Sequence, residues 1–297
     1  MLEALAKKEE EIVGVFSPPD KRGESIRRLA EKSRIETFQP NLMKDPQVYQ
    51  NYAKLRPDLA VLAFVTDIVP ETLLKVPPLG TICYHPSLLP RHRGASAINW
   101  AIIQGDTRTG LTIFWADKGI DTGPILLQKE VAIGADDTTG SLYFKTLFPL
   151  GVEAIVEAVD LIKSGKAPRI LQDESKATYE PPCDDRVASI DFEKPVHTIY
   201  NLIKGCDPQP GAYTTFKGQR VRFYDSKMSS MAIGKQPGEI VSVEGGVLQI
   251  AMKGGILHIS KCRVDKGEKI GPMEFARSVG LKVGDRLGND QKIGILE

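Results

Sequence analysis

Leu59-Ala60-Val61-Leu62-Ala63-Phe64-Val65 is apolar at every position. A strand with one wet face alternates polar and apolar residues, so an unbroken apolar run predicts a strand covered on both faces, as in a parallel sheet. Residues 11–16 (EIVGVF) read as an earlier short strand, and residues 79–84 as the next one. Helical patterns lie among them: residues 24–32, with Ile26, Leu29 and Ala30 on one face, and residues 95–104, with Ile98, Ala101 and Ile102 at helical spacing. Residues 111–116 (LTIFWA) and 124–130 read as strands. Val152, Ile155, Val156, Val159 and Ile162 then recur at helical spacing before Gly165, a C-cap. Alternation of this kind predicts a doubly wound, mostly parallel α/β sheet over residues 1–165. Ligands of such sheets sit outside the carboxyl ends of the strands.

Beyond that point the pattern changes. Residues 166–183 contain Pro168, Pro181 and Pro182 with little periodicity and read as a linker. A helix over 197–204 stops at Gly205, and short strands follow at 212–216, 220–225, 239–244, 247–252 and 256–262. Most are separated by Gly-containing turns. Five short strands with turn signals predict a small OB-like β-barrel as the second domain, residues 184–297.

Composition narrows the function classes. A chain of 297 residues with net charge +1 carries no global field pointing to nucleic acid. Residues 184–297 hold 17 Lys and Arg against 14 Asp and Glu, and residues 1–183 hold 22 against 24, so the second half is only mildly basic. Cys83, Cys183, Cys206 and Cys262 have no C-x-x-C spacing, so reduced thiols are expected rather than a zinc site or disulfide scaffold. No stretch approaches the roughly 18 apolar residues of a membrane span. The first ten residues lack the apolar core of a signal peptide, and the chain reads as cytoplasmic.

The chemistry-bearing stretch is Cys83-Tyr84-His85-Pro86-Ser87-Leu88-Leu89-Pro90-Arg91-His92-Arg93-Gly94, a strand-to-helix loop. Asp117-Lys118-Gly119-Ile120-Asp121-Thr122-Gly123 forms a second, acidic loop after the following strand. A His and an Asp brought together from two loops make a tuned acid–base pair, the Asp setting the imidazole's tautomer and favouring its charged form. Taken alone, His85 reads more readily as a satisfied loop histidine and Asp121 as a turn former. Ser87 lacks the Gly-x-Ser-x-Gly context of a nucleophile and shapes the loop. Arg91 and Arg93 suit an anionic acceptor or are a solvated pair. Phe64, Val65 and Ile68 close the buried strand as core or as pocket.

The run HPSLLPRHRG, followed by Asp121-Thr122-Gly123-Pro124, resembles the signature of formyltransferases that use 10-formyltetrahydrofolate. Ala177-Thr178-Tyr179, Ile190-Asp191-Phe192, Pro210-Gly211-Ala212-Tyr213 and Gly284-Asp285-Arg286-Leu287-Gly288 resemble the C-terminal domain of methionyl-tRNA formyltransferases. Ile113-Phe114-Trp115-Ala116-Asp117 and Leu127-Gln128-Lys129-Glu130 look more like the hydrolase domain of 10-formyltetrahydrofolate dehydrogenase. The resemblance implies that His85 and Asp121 are catalytic, with Cys83 as the third candidate of the catalytic set. It also implies that Phe64, Val65, Ile68, Ser87, Gly119 and Ile120 bind the folate, and that the donor is 10-formyltetrahydrofolate with no metal. The implied acceptor is initiator methionyl-tRNA. The alternatives are water, giving a hydrolase, and an amino-sugar. A reading of another class is a non-catalytic folate- or RNA-binding relic.

Three departures qualify the resemblance. The family carries Asn two residues before the catalytic His, where its amide donates to the formyl oxygen; here Cys83 stands there, a weak donor. Members begin with a strand and a Gly-containing turn, whereas Met1 lies inside what resembles the helix that follows. This implies a late start codon or a natural truncation, a sheet missing its central strand, and poor stability. The loop Ser17-Pro18-Pro19-Asp20-Lys21-Arg22-Gly23 is shorter than the basic loop that enters the tRNA acceptor stem, with Lys21 and Arg22 as its remnant or as a plain solvated turn.

Overall fold

The computed structural model describes residues 1–65, 67–231 and 233–288, so the last nine residues of the expected second domain lie outside it. In chain order the elements are α1 (Leu2–Lys7), β1 (Val15–Phe16), α2 (Glu24–Lys32), β2 (Thr37–Phe38), α3 (Pro46–Lys54), β3 (Ala60–Leu62), α4 (Glu71–Leu74) and β4 (Thr81–His85). Next come α5 (Ala97–Ile103), β5 (Arg108–Trp115), β6 (Ile125–Ala132), α6 (Thr139–Leu142), α7 (Phe148–Lys163) and α8 (Val196–Gly205). Last are β7 (Ala212–Phe216), β8 (Gln219–Ser229), β9 (Ile240–Glu244), β10 (Val247–Met252), β11 (Gly255–Val264) and α9 (Pro272–Val279). The chain forms two units, one of Met1–Ala95, Thr109–Val131 and Lys145–Glu180, the other of Ser96–Arg108, Ala132–Phe144 and the chain from Pro181 on. The segment read as a linker is therefore shared, its part through Glu180 lying in the first unit.

The first unit is mixed rather than mostly parallel. β1 pairs with β2 in parallel as a separate two-stranded sheet. A four-stranded sheet has the order β3-β4-β5-β6, parallel between β3 and β4 and antiparallel between β4 and β5. α5 lies between β4 and β5 in sequence and belongs to the second unit; β5 pairs Thr112 with His85 and Trp115 with Ile82.

Alternation along β4 sorts its side chains. Ile82 and Tyr84 face α7, where Leu111, Ile113 and Trp115 of β5 and Ala154, Ile155, Ala158 and Ile162 of α7 complete a buried core. Full burial of each large member contributes about 1.5–3 kcal/mol. Gly151 lets α7 approach: a Cβ there would sit 2.6 Å from Tyr84 Cε2. Thr81, Cys83 and His85 consequently project from the other face.

The second unit holds an antiparallel sheet of order β7-β8-β11-β10-β9. Two strands, residues 212–216 and 247–252, have the bounds read from sequence; β8 runs four residues beyond its reading, to Ser229. Ile199, Leu202 and Ile203 of α8 and Phe275 of α9 pack with Val221, Phe223, Leu248, Leu257 and Ile259 of the sheet. Among the described residues no ladder joins β9 to β7, so the sheet is open where a barrel was expected.

Candidate active site

His85 ends β4 and is 5% exposed. Its Nε2 lies 2.8 Å from the carbonyl oxygen of His92. A carbonyl only accepts, so Nε2 carries a proton. Its Nδ1 faces Asp121 Oδ2 at 3.5 Å. Burial pushes the His85 pKa below the ordinary imidazole value, opposed by the Asp121 carboxylate and by the His92 carbonyl. In the neutral ring, Nδ1 therefore presents a lone pair to a carboxylate. Two facing acceptors form a site for one proton, which turns the contact attractive.

Asp121 arrives by an indirect route. β5 is antiparallel to β4, so its exit lies at the opposite end of the sheet from that of β4; Ala116 N donates to Thr81 O at 2.9 Å. The acidic loop folds back, with Asp121 in the left-handed region (φ 56°) and its Oδ2 accepting from Gly94 N at 2.8 Å. Gly123 permits the fold-back, because a Cβ there would lie 1.7 Å from Trp115 O. Asp117 Oδ1 accepts from Gly119 N (3.0 Å) and Thr122 Oγ1 (2.6 Å), so the Gly119 N–H is occupied inside the loop.

Cys83 shares the face of His85. Burial, reinforced by Asp121, pushes its thiol up to about 12, which excludes a thiolate nucleophile at neutral pH. Its Sγ–H points at Tyr84 O, 3.7 Å away. Ser87 is fully buried and donates to Arg91 O (2.6 Å), while its carbonyl accepts from Thr112 Oγ1 (2.7 Å). Thr112 Oγ1 also accepts from Leu89 N and from Gln128 Nε2, and these bonds fix the loop's shape.

Arg93 is placed differently from an acceptor-binding residue. It is 1% exposed, and all five of its donors are used within the chain. Nε and Nη2 donate to Gln172 Oε1 (3.2 and 2.7 Å), Nη1 to Glu174 Oε2 (2.9 Å) and Tyr179 OH (2.6 Å), and Nη2 to Glu174 Oε1 (2.6 Å). The Glu174 carboxylate, with Tyr179, holds the guanidinium pKa above its usual value. Gln172 Nε2 donates in turn to Asp121 O (2.8 Å) and Gly123 O (2.7 Å). Thr178 completes the brace: His92 N donates to its Oγ1 and Arg93 N to its carbonyl. Gln172, Glu174, Thr178 and Tyr179 were missed in the sequence. Only the Ala177-Thr178-Tyr179 motif marked that stretch. Behind the loop, His92 Nδ1 meets Glu180 Oε1 at 3.3 Å.

The remaining candidates lie further out. β3 ends level with Cys83 (Leu62↔Cys83), so Phe64 and Val65 leave the sheet beside His85. Phe64, in the left-handed region (φ 57°), turns its ring to within 5.1 Å of Tyr84, on the α7 side of β4. Phe64, Val65, Ile68 and Ile120 are all exposed, as is Arg91. Lys21 and Arg22 sit in an exposed turn, where Asp20 accepts from Arg22 N (2.9 Å) and pairs with its guanidinium (2.8 Å). Among the described residues no cluster of three His, Cys, Asp or Glu could hold a metal ion, and no helix is long and apolar enough to cross a membrane.

A buried His–carboxylate pair on a mixed α/β sheet, with Cys83 and Ser87 beside it, is an arrangement that can exchange a proton. The chain belongs to the formyl transferase family. The formyl transferase profile matches residues 1–159, and the formyl transferase C-terminal domain matches residues 184–280. The chain is 42% identical over 248 residues to mitochondrial 10-formyltetrahydrofolate dehydrogenase of Homo sapiens, covering 81% of this chain and 27% of that one. It is 36% identical over 295 residues to methionyl-tRNA formyltransferase of Syntrophus aciditrophicus, covering 97% of this chain and 94% of that one. It spans only 26% to 34% of the length of the dehydrogenases it matches. HypX from Aquifex aeolicus, solved in complex with tetrahydrofolic acid, shares the fold with a TM-score of 0.71 at 21% identity, over 96% of this chain and 50% of that one.

Proposed function

We propose that this chain moves the formyl group of 10-formyltetrahydrofolate to the amino group of initiator methionyl-tRNA, a cytoplasmic step of translation initiation. The observation that carries the reading is His85 Nδ1 facing Asp121 Oδ2 at 3.5 Å. As the attacking nitrogen bonds to the formyl carbon it must shed a proton, and this pair takes one. The departing N10 nitrogen needs one, and the pair returns it. The proton count closes without a metal step. His85 and Asp121 are catalytic in this reading, and the brace through Arg93 and Gln172 positions them.

The donor's flat heteroaromatic ring suits the exposed apolar side chains of Val65, Ile68 and Ile120, with the Phe64 ring beside Tyr84. Support for the acceptor comes from the similarity that runs through 94% of a methionyl-tRNA formyltransferase.

A second reading, hydrolysis to formate and tetrahydrofolate, is favoured by Cys83, whose thiol turns to Tyr84 O instead of offering a strong donor. The 42% identity to a dehydrogenase supports it too. The test is tetrahydrofolate release from 10-formyltetrahydrofolate with and without methionyl-tRNA. Release only with charged tRNA, yielding formyl-methionyl product, supports transfer. Equal release without it, with free formate, overturns transfer in favour of hydrolysis. Folate binding without release overturns both in favour of a relic.

A further inference from the structure

Cys183 and Cys206 are 23 residues apart in sequence, yet their sulfurs lie 3.7 Å from each other. Three hydrogen bonds set this spacing. Trp100 Nε1 donates to Pro181 O (2.7 Å) and Cys183 N to Ser96 Oγ (2.9 Å), which fastens the start of the second unit's C-terminal stretch to α5. Asn99 Nδ2 donates to Gly205 O (2.7 Å), which fastens the end of α8, where Cys206 is the C-cap, to the same helix. The two thiols are unequal. Cys206 is fully buried, whereas Cys183 is half-buried. Cys183 borders an open groove of about 640 Å³ that is also lined by Asn99, Asp184, Arg186, Gln209 and Pro210.

We propose that Cys183 and Cys206 form a reversible disulfide, with Cys183 as the site that reacts with small hydroperoxides and Cys206 as the thiol that resolves it. The Cys206 thiol hydrogen-bonds to Cys183, which lowers the Cys183 pKa; the same bond, with burial, raises that of Cys206. The Cys183 thiolate attacks one peroxide oxygen, the O–O bond breaks, and the departing oxygen leaves as hydroxide or water. Cys183 becomes a sulfenic acid, oxidised by two electrons, while the peroxide is reduced. The Cys206 sulfur then attacks the sulfenic sulfur, gives up its proton, and a second water leaves as the S–S bond forms. A thiol reductant reverses the link.

This chemistry is independent of formyl transfer and uses no residue of the His85 site. Its consequence is local: the chain entering the second unit at Pro181–Cys183 becomes covalently tied to the end of α8. Closing a loop of this length predicts a rise in Tm on the order of 5 °C. It also predicts slower tryptic cleavage after the exposed Arg186.

The test treats the full chain with a modest excess of hydrogen peroxide and maps the products by mass spectrometry. The expected result is a Cys183–Cys206 cross-linked peptide that dithiothreitol reverses, formed before Cys83 or Cys262 is modified. In Cys206→Ala, a dimedone adduct should accumulate at Cys183 instead; Cys206→Ser repeats the test should the alanine variant fold poorly. Oxidation of Cys83 or Cys262 first, or Cys183 oxidised in the wild-type chain without a link to Cys206, overturns the proposal.

Discussion

Replacing Arg93 by Met keeps most of its buried volume and removes five charge-assisted hydrogen bonds. Each such bond is worth about 1.5–3 kcal/mol, but they are not additive. Gln172, Glu174 and Tyr179 are not fully buried, so water recovers part of the loss. A net destabilisation of roughly 3 kcal/mol follows, equivalent to a fall in Tm of roughly 5 °C for a chain of this length. The kinetic effect follows from Gln172. Without Arg93 its amide is no longer oriented toward Asp121 O and Gly123 O, and Asp121 loses its register with His85. A misplacement near 1 Å costs about 10²-fold in rate. Differential scanning calorimetry and steady-state kinetics on Arg93→Met should show a lower Tm and a lower kcat, with KM for the acceptor little changed. An unchanged Tm with a raised acceptor KM would show Arg93 reaching the acceptor and would refute the bracing role.

Gln172→Ala should lower kcat about tenfold while folate affinity, measured by fluorescence quenching, stays within about twofold; an unchanged kcat would remove Gln172 from the positioning role. His85→Ala and Asp121→Asn should each lose at least about 10²-fold in single-turnover rate with folate still bound; near-wild-type turnover in either would sink the proton-handling scheme. Cys83→Asn should speed transfer to an amine by about 10²-fold or less, since one oxyanion donor is worth about 10²–10³; an equal or lower rate would mean that the formyl oxygen is held elsewhere. Burial lowers the folded pKa of His85, so as pH falls the unfolded chain takes up this proton first. The stabilisation is complete above about pH 6.5 and is lost as pH falls from there through the folded value. Urea titrations should show a loss below about pH 6.5 that is smaller in His85→Gln; an identical slope in that variant would assign the loss to other groups.

The two loops and the pairing of His85 with Asp121 were legible because both lie in short, distinctive runs. The sheet's handedness of pairing was less so. Nothing in residues 95–104 says that their helix belongs to the second unit, or that the strand after it runs antiparallel to β4. The brace was illegible for a similar reason. Gln172 and Glu174 lie 79 and 81 residues from Arg93, in a stretch whose Pro content and lack of periodicity read as a connector. Cys183 and Cys206 escaped because their approach depends on hydrogen bonds made by Ser96, Asn99 and Trp100, and not on their own spacing.

The brace and the acid–base pair require each other. With His85 neutral and its proton on Nε2, the lone pair of Nδ1 and the charge of Asp121 repel, and a freely hinged loop would carry Asp121 into water. Here Gly94 N–H holds the Asp121 carboxylate at 2.8 Å, Gln172 holds its carbonyl, and Arg93 holds Gln172. The His92 carbonyl meanwhile keeps the His85 proton on Nε2, which leaves Nδ1 as the acceptor. The repulsion is thus stored in the resting site and relieved only when a proton arrives between the two atoms. The restraint keeps the two groups in register for one shared proton, and Gln172 and Glu174 supply it, through Arg93, from a stretch of chain that carries no reactive group.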